Sequence, residues 1–203
     1  MEQRPFVTLY LCGAAGSGKS TVAQILVGKH GFAALELSDV CRAECARRGW
    51  PMDRKHQQAA GDALRAFGTD DWLAKDAWHQ AGRIAGPVVI AGVRLEAEAD
   101  FLRRRGAFGV CVVSPAALCA ARLAARDGAS AVAPEAHRTE VEEPDYALAI
   151  WNTGTVAAMA APLAAIVRQA RIAHASALRG GAQIAADLDR ILAGAARHGE
   201  MER

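Results

Sequence analysis

Gly13-Ala14-Ala15-Gly16-Ser17-Gly18-Lys19-Ser20, with Thr21 directly after it, fills every fixed position of the pattern G-x-x-x-x-G-K-[ST]. Its flanks decide what the pattern means. Phe6 to Cys12 is a predominantly apolar run of strand length, as expected of a strand covered on both faces of a parallel sheet. Lys19 to His30 places Val22, Ile25 and Leu26 on one helical face. A glycine-rich loop between such a strand and helix wraps an anion with successive backbone N–H groups, from Gly13 through Thr21, and the helix N-terminus adds a favourable dipole. In this pattern Lys19 reaches β- and γ-phosphates, and the Ser20 hydroxyl ligates Mg²⁺. The stretch therefore implies a nucleoside triphosphate site.

Working outward, Ala33 to Leu37, Pro87 to Ala91, Phe108 to Val113 and Tyr146 to Trp151 read as four further strands. Helices are expected over Asp39 to Arg48, Gln57 to Phe67, Asp71 to Ile84, Leu95 to Arg105, Pro115 to Arg126 and Val156 to Ile172. Strands alternating with helices imply an α/β fold: a central five-stranded parallel sheet with helices on both faces and right-handed crossovers. Residues 1–172 are expected to form the domain. Gly180-Gly181 is expected to interrupt the helical tail, leaving a last helix over Ala182 to Ala196. That helix aligns Ile184, Leu188, Ile191 and Leu192, so the extension 173–203 is expected to pack on the domain or on the second subunit of a homodimer.

Composition narrows the function classes. The 203 residues carry 24 basic and 22 acidic side chains, a net charge of +2, which argues against nucleic acid as a partner. A 52% apolar and 23% charged chain is not disordered. The run from Met159 to Ile166 is short and diluted by alanine, so no membrane span is expected, and the absence of a leader pattern before Phe6 points to the cytoplasm. Five cysteines fit no zinc or redox spacing, which assigns Cys41 and Cys45 to the core; the six histidines show no paired ligand spacing. A GTPase would need an Asn-Lys-x-Asp stretch, which is absent. A motor ATPase would carry an acid after its third strand, whereas Val88-Val89-Ile90 runs into Ala91-Gly92-Val93-Arg94. A small phosphotransferase remains, its anionic charge clamped by arginines such as Arg122 and Arg126 one helical turn apart.

Further segments carry a resemblance. They are Leu37-Ser38-Asp39-Val40-Cys41-Arg42; Gln58-x-x-Gly61-x-x-x-Arg65 followed by Trp72; Gly92-Val93-Arg94 with Glu98; His137-x-Thr139-Glu140; and Pro144-Asp145-Tyr146 with Asn152-Thr-Gly154-Thr155. With the loop they span roughly residues 6 to 170, and in order and spacing they resemble the P-loop nucleoside monophosphate kinases, most closely the phage-type deoxynucleoside monophosphate kinases. The resemblance implies transfer of the γ-phosphoryl group of ATP to a (deoxy)nucleoside monophosphate, with Mg²⁺ at Ser20. It implies catalytic roles for Lys19, Asp39, Arg122 and Arg126, and Asn152 beside the nucleotide. Acceptor contacts would come from Asp39, Arg42, Gln58, Arg65, Trp72, Arg94, His137 and Glu140. A helical substrate insert is expected over about residues 50–85, and a lid over about 125–140 that carries Arg138.

The competing readings are structural: Asp39 as a helix cap, Arg42, Arg65 and Arg94 as surface charges, Trp72 as core. Archaeal-type dephospho-coenzyme A kinases and phosphomevalonate kinases share much of the layout and stay open as alternatives. The chain departs from the family at Ala91-Gly92, where an aspartate is expected. Either Asp39 carries that role alone or the activity is altered, which keeps a non-catalytic nucleotide-binding regulator in view.

Overall fold

The apolar runs become five strands, β1 (Thr8–Cys12), β2 (Ala33–Glu36), β3 (Val88–Ala91), β4 (Phe108–Val113) and β5 (Leu148–Trp151). All pair in parallel, in the order β2-β3-β1-β4-β5. Parallel neighbours need long crossovers, and helices supply them. α1 (Lys19–His30) joins β1 to β2, and α2 (Leu37–Arg48), α3 (Arg54–Phe67) and α4 (Trp72–Gly82) join β2 to β3. α5 (Glu96–Arg103) leads to β4, α6 (Ala116–Asp127) follows β4, and α7 (Val156–Met201) follows β5. This computed structural model describes residues 4–127 and 144–201, with side chains described for 4–126 and 144–180. The fold is α/β, as the sequence implies.

β1 is buried at every position because the sheet is covered on both faces. On one face Leu9, Leu11, Val89, Val110, Val112 and Ile150 meet α1 (Val22, Ile25, Leu26) and α7 (Met159, Leu163, Ile166, Val167). On the other, Tyr10 and Ile90 meet Leu37, Cys41 and Cys45 of α2, Leu73, Ala74, Ala77 and Ala81 of α4, and Leu102 of α5. Each fully buried leucine or isoleucine contributes about 1.5–3 kcal/mol. Cys41 and Cys45 are core residues, as expected. The segment expected as an insert is α3 and α4, and α4 is a core helix of the second face.

Two expectations are corrected. α2 begins at Leu37, with Glu36 at the cap position, so Ser38 and Asp39 lie inside the first turn and neither caps the helix. Gly180-Gly181 does not break the tail: α7 runs unbroken from Val156 to Met201, about 70 Å at 1.5 Å per residue. Each interior glycine costs only about 1 kcal/mol relative to alanine, and alanine-rich flanks absorb that cost. The side chains of Ile184, Leu188, Ile191 and Leu192 lie outside the described residues, so the packing expected of that face is not described. The stretch Val156–Gly180, of mean hydropathy 1.3, is long and apolar enough by length and composition to cross a membrane. Its large apolar side chains Met159, Leu163, Ile166 and Val167 are those that pack on the sheet.

β1 has β3 on one side and β4 on the other, so the chain switches direction across it. A crevice opens beyond the carboxyl ends of strands at such a point, and the glycine-rich loop leaves β1 there.

Candidate active site

Lys19 opens α1 and turns back over the loop that precedes it. Its Nζ donates to the carbonyls of Gly13 and Ala14, both at 2.7 Å, and the side chain is buried. Gly13, Gly16 and Gly18 lie at φ of 122°, 77° and 101°, which curls the loop around the ammonium group.

Two side chains brace this curl from the β4–β5 side. Asn152, just past β5, is buried, and its Nδ2 donates to the Ser17 carbonyl at 2.7 Å. Arg122 of α6 donates through Nη1 to the carbonyls of Gly16 (3.3 Å) and Ser17 (3.4 Å), and through Nη2 to Asn152 Oδ1 (3.3 Å). Ser114 Oγ ties the two together, accepting from Arg122 at 3.1 Å and donating to the Asn152 carbonyl at 2.7 Å. Arg122 and Asn152 therefore meet at the loop, as expected of nucleotide-site residues. Arg126 lies one helical turn further along α6 and is exposed. Ser17 Oγ is buried with no hydrogen-bond partner, an orphan polar group inside the loop.

Gly18 makes the bracing testable. A Cβ there would overlap Asn152 Nδ2, at a φ that costs an L-residue about 1–2 kcal/mol even without a clash. Gly18→Ala is expected to lower the melting temperature and weaken ATP binding at least tenfold in a calorimetric titration. Unchanged values for both would refute the bracing role of Asn152.

Acidic groups gather on the opposite side of the loop. Asp39 and Arg42 form an ion pair on α2, exposed at 64% and 44%, beside Glu36 at the end of β2. Glu36 is the residue the sequence reading missed. Its pKa is raised, first by burial and then by the neighbouring Asp39 carboxylate, an effect that the Ser20 hydroxyl and the charges of Arg42 and Lys19 only partly offset. No local signal pointed to it: Glu36 ends a strand that pairs abreast of β3, where the expected acid is absent.

The acceptor residues are dispersed. Arg65, expected to meet an acceptor phosphate, is buried, and its Nη2 and Nε donate to Glu98 Oε1 at 2.7 and 3.3 Å. The other Glu98 oxygen accepts from the backbone N–H groups of Arg94 (2.9 Å) and Leu95 (3.2 Å). Arg65 thus secures the turn after β3 from inside the fold. Gln58 and Trp72 are half-buried, with Trp72 packed on the second core beside Gly68. Of the expected acceptor contacts Gln58, Arg65 and Trp72, Arg65 turns inward to Glu98. Arg94 is half-buried on the same turn. His137, Arg138 and Glu140, with most of the expected lid, lie outside the described residues.

A family model described as an AAA domain matches residues 9–143, two thirds of the chain. The chain belongs to this AAA-domain family. Over 92 residues the chain is 36% identical to a UPF0200 protein of Methanothrix thermoacetophila, a match covering 45% of this chain. It spans about half the length of that curated relative, 49%. In fold the chain is similar to TT1252 from Thermus thermophilus (TM-score 0.58, 20% identity, covering 82% of this chain and 98% of that one). It is also similar to the APS kinase CysC of Mycobacterium tuberculosis, solved with AMPPNP and APS (TM-score 0.53, 18% identity, covering 82% and 99%).

Proposed function

We propose that this AAA domain is an ATP-dependent phosphotransferase that moves the γ-phosphoryl group to a (deoxy)nucleoside monophosphate, as its resemblance to the phage-type deoxynucleoside monophosphate kinases implies. The observation that carries the reading is the loop itself, with Lys19 folded onto the carbonyls of Gly13 and Ala14 and Arg122 bonded to those of Gly16 and Ser17. The APS kinase, similar in fold and solved with AMPPNP and APS, adds support.

An acceptor oxygen attacks the γ-phosphorus as its bond to the β–γ bridging oxygen breaks, and ADP leaves with the bonding electrons. Lys19 offsets the charge that builds on the β- and γ-oxygens, and Arg122 and Arg126 close on the transferring group from α6. Asp39 and Arg42 face the acceptor, the arginine toward its phosphate. An acceptor phosphate is already ionised, so no strong base is required. The hydroxyl of Ser20 and the carboxylate of Glu36, with Asp39 near Glu36, are hard oxygen donors of the kind that suits Mg²⁺. When bound there, Mg²⁺ neutralises phosphate charge.

The test is ADP release measured across nucleoside monophosphates, dephospho-coenzyme A and phosphomevalonate. Release stimulated by one or more nucleoside monophosphates is the expected result. Stimulation only by either coenzyme or isoprenoid precursor would reassign the acceptor. ATP binding with no acceptor-dependent release would make the protein a nucleotide-binding regulator.

A further inference from the structure

The end of β3 presents Ala91 and Gly92 where a phosphotransferase of this layout needs a carboxylate near the metal, and Ala91 is fully buried with nothing but a methyl group to offer. The neighbouring strand supplies what is missing. Glu36 and Ala91 are register partners on β2 and β3, so their side chains leave the sheet at the same level and on the same face. Adjacent strands lie about 4.8 Å apart, a gap that the two methylenes of glutamate help to bridge. The geometry agrees. A Cβ built on Gly92 would sit 3.9 Å from Glu36 Oε2, so the carboxylate ends beside the turn after β3. Gly92 holds φ at 87° and has no side chain to occupy that space.

Glu36 has no competing structural duty in the described residues. It stands at the cap position of α2, yet its side chain makes no capping hydrogen bond. Through space it feels the Ser20 hydroxyl, which the loop motif assigns to Mg²⁺ and which pulls its pKa down against the effect of burial. Half-buried beside the Asp39 carboxylate, Glu36 gains from any further cation that joins Arg42 and Lys19 there. We infer that Glu36 replaces the absent strand-end acid, holding the Ser20 hydroxyl and the hydration shell of Mg²⁺ in place from the neighbouring strand. This rests on the nucleotide-site reading of the loop and is independent of the acceptor.

The experiment needs no acceptor. AMPPNP is titrated calorimetrically into wild type, Glu36→Gln and Glu36→Asp, in saturating Mg²⁺ and again in EDTA. Mg²⁺ is expected to tighten binding to wild type. Glu36→Gln is expected to lose about 10–100-fold of that enhancement, the usual cost of removing a group that orients a metal's ligands, with its affinity in EDTA unchanged. Glu36→Asp keeps the charge on a shorter arm and is expected to retain an intermediate enhancement. The inference falls if Glu36→Gln keeps the full Mg²⁺ effect, or if it loses equal affinity in EDTA, which marks a structural defect. It falls equally if wild type binds AMPPNP without any Mg²⁺ effect. Failure of the acceptor panel with this Mg²⁺ linkage intact would sink the kinase reading alone.

Discussion

Lys19→Ala is expected to reduce phosphoryl transfer by about 10²–10³-fold or more while the protein stays folded. The rate loss follows from removing the one cation that the loop motif aims at the β- and γ-phosphates, in a site where a single aligned charge-stabilising donor is worth that factor. The intact fold follows from where Lys19 sits. Its ammonium bonds to the Gly13 and Ala14 carbonyls, and Ala14 is exposed, so water can take over part of that bonding. The methylenes of Lys19 pack at the start of α1, whose hold on the sheet comes from Val22, Ile25 and Leu26. The measurement is kcat with the preferred acceptor, alongside circular dichroism and a melting curve. Near-wild-type turnover would overturn the mechanism. A collapsed melting curve would overturn the division of labour between Lys19 and the apolar face of α1.

Much of this molecule was legible in its sequence, for a physical reason. Strands buried on both faces read as apolar runs, and Phe108 to Val113 is observed with the bounds the sequence suggests. The phosphate-binding loop is equally local: its chemistry lies within Gly13 to Ser20, so spacing alone exposes it. Arg122 and Asn152 were identified as residue types in suitable places, but their joint hold on the loop depends on how β5 and α6 end beside it. What escaped depended on distant pairings. Glu36 matters because β2 lies abreast of β3, a register no local pattern encodes. Arg65 resembled an acceptor ligand by spacing, yet its partner Glu98 lies 33 residues further along the chain. The glycine pair at 180–181 misled for the opposite reason, since a local signal was outweighed by the helix on both sides.

Arg65→Ala is expected to destabilise the protein by about 3–5 kcal/mol, because it leaves a carboxylate without its cation in the interior. Glu98 is fully buried and Arg65 is 7% exposed, so water cannot replace the guanidinium without opening α3 away from α5. Asp62 is also within 3.7 Å of Arg65, but it is partly exposed and compensates through solvent. For a chain of this length, that loss lowers the melting temperature on the order of 10 °C. The damage also reaches the site, since the second oxygen of Glu98 holds the N–H groups of Arg94 and Leu95 on the turn that follows β3. Removing the charge together with its partner separates the causes. In Arg65→Met combined with Glu98→Gln, no ion is buried and the amide oxygen still accepts from that turn, so more than half of the lost stability is expected to return. Denaturant unfolding of the single and double variants measures this directly. Unaltered stability in Arg65→Ala, with a raised KM for the acceptor and unchanged ATP affinity, would return Arg65 to the acceptor site that its spacing first suggested.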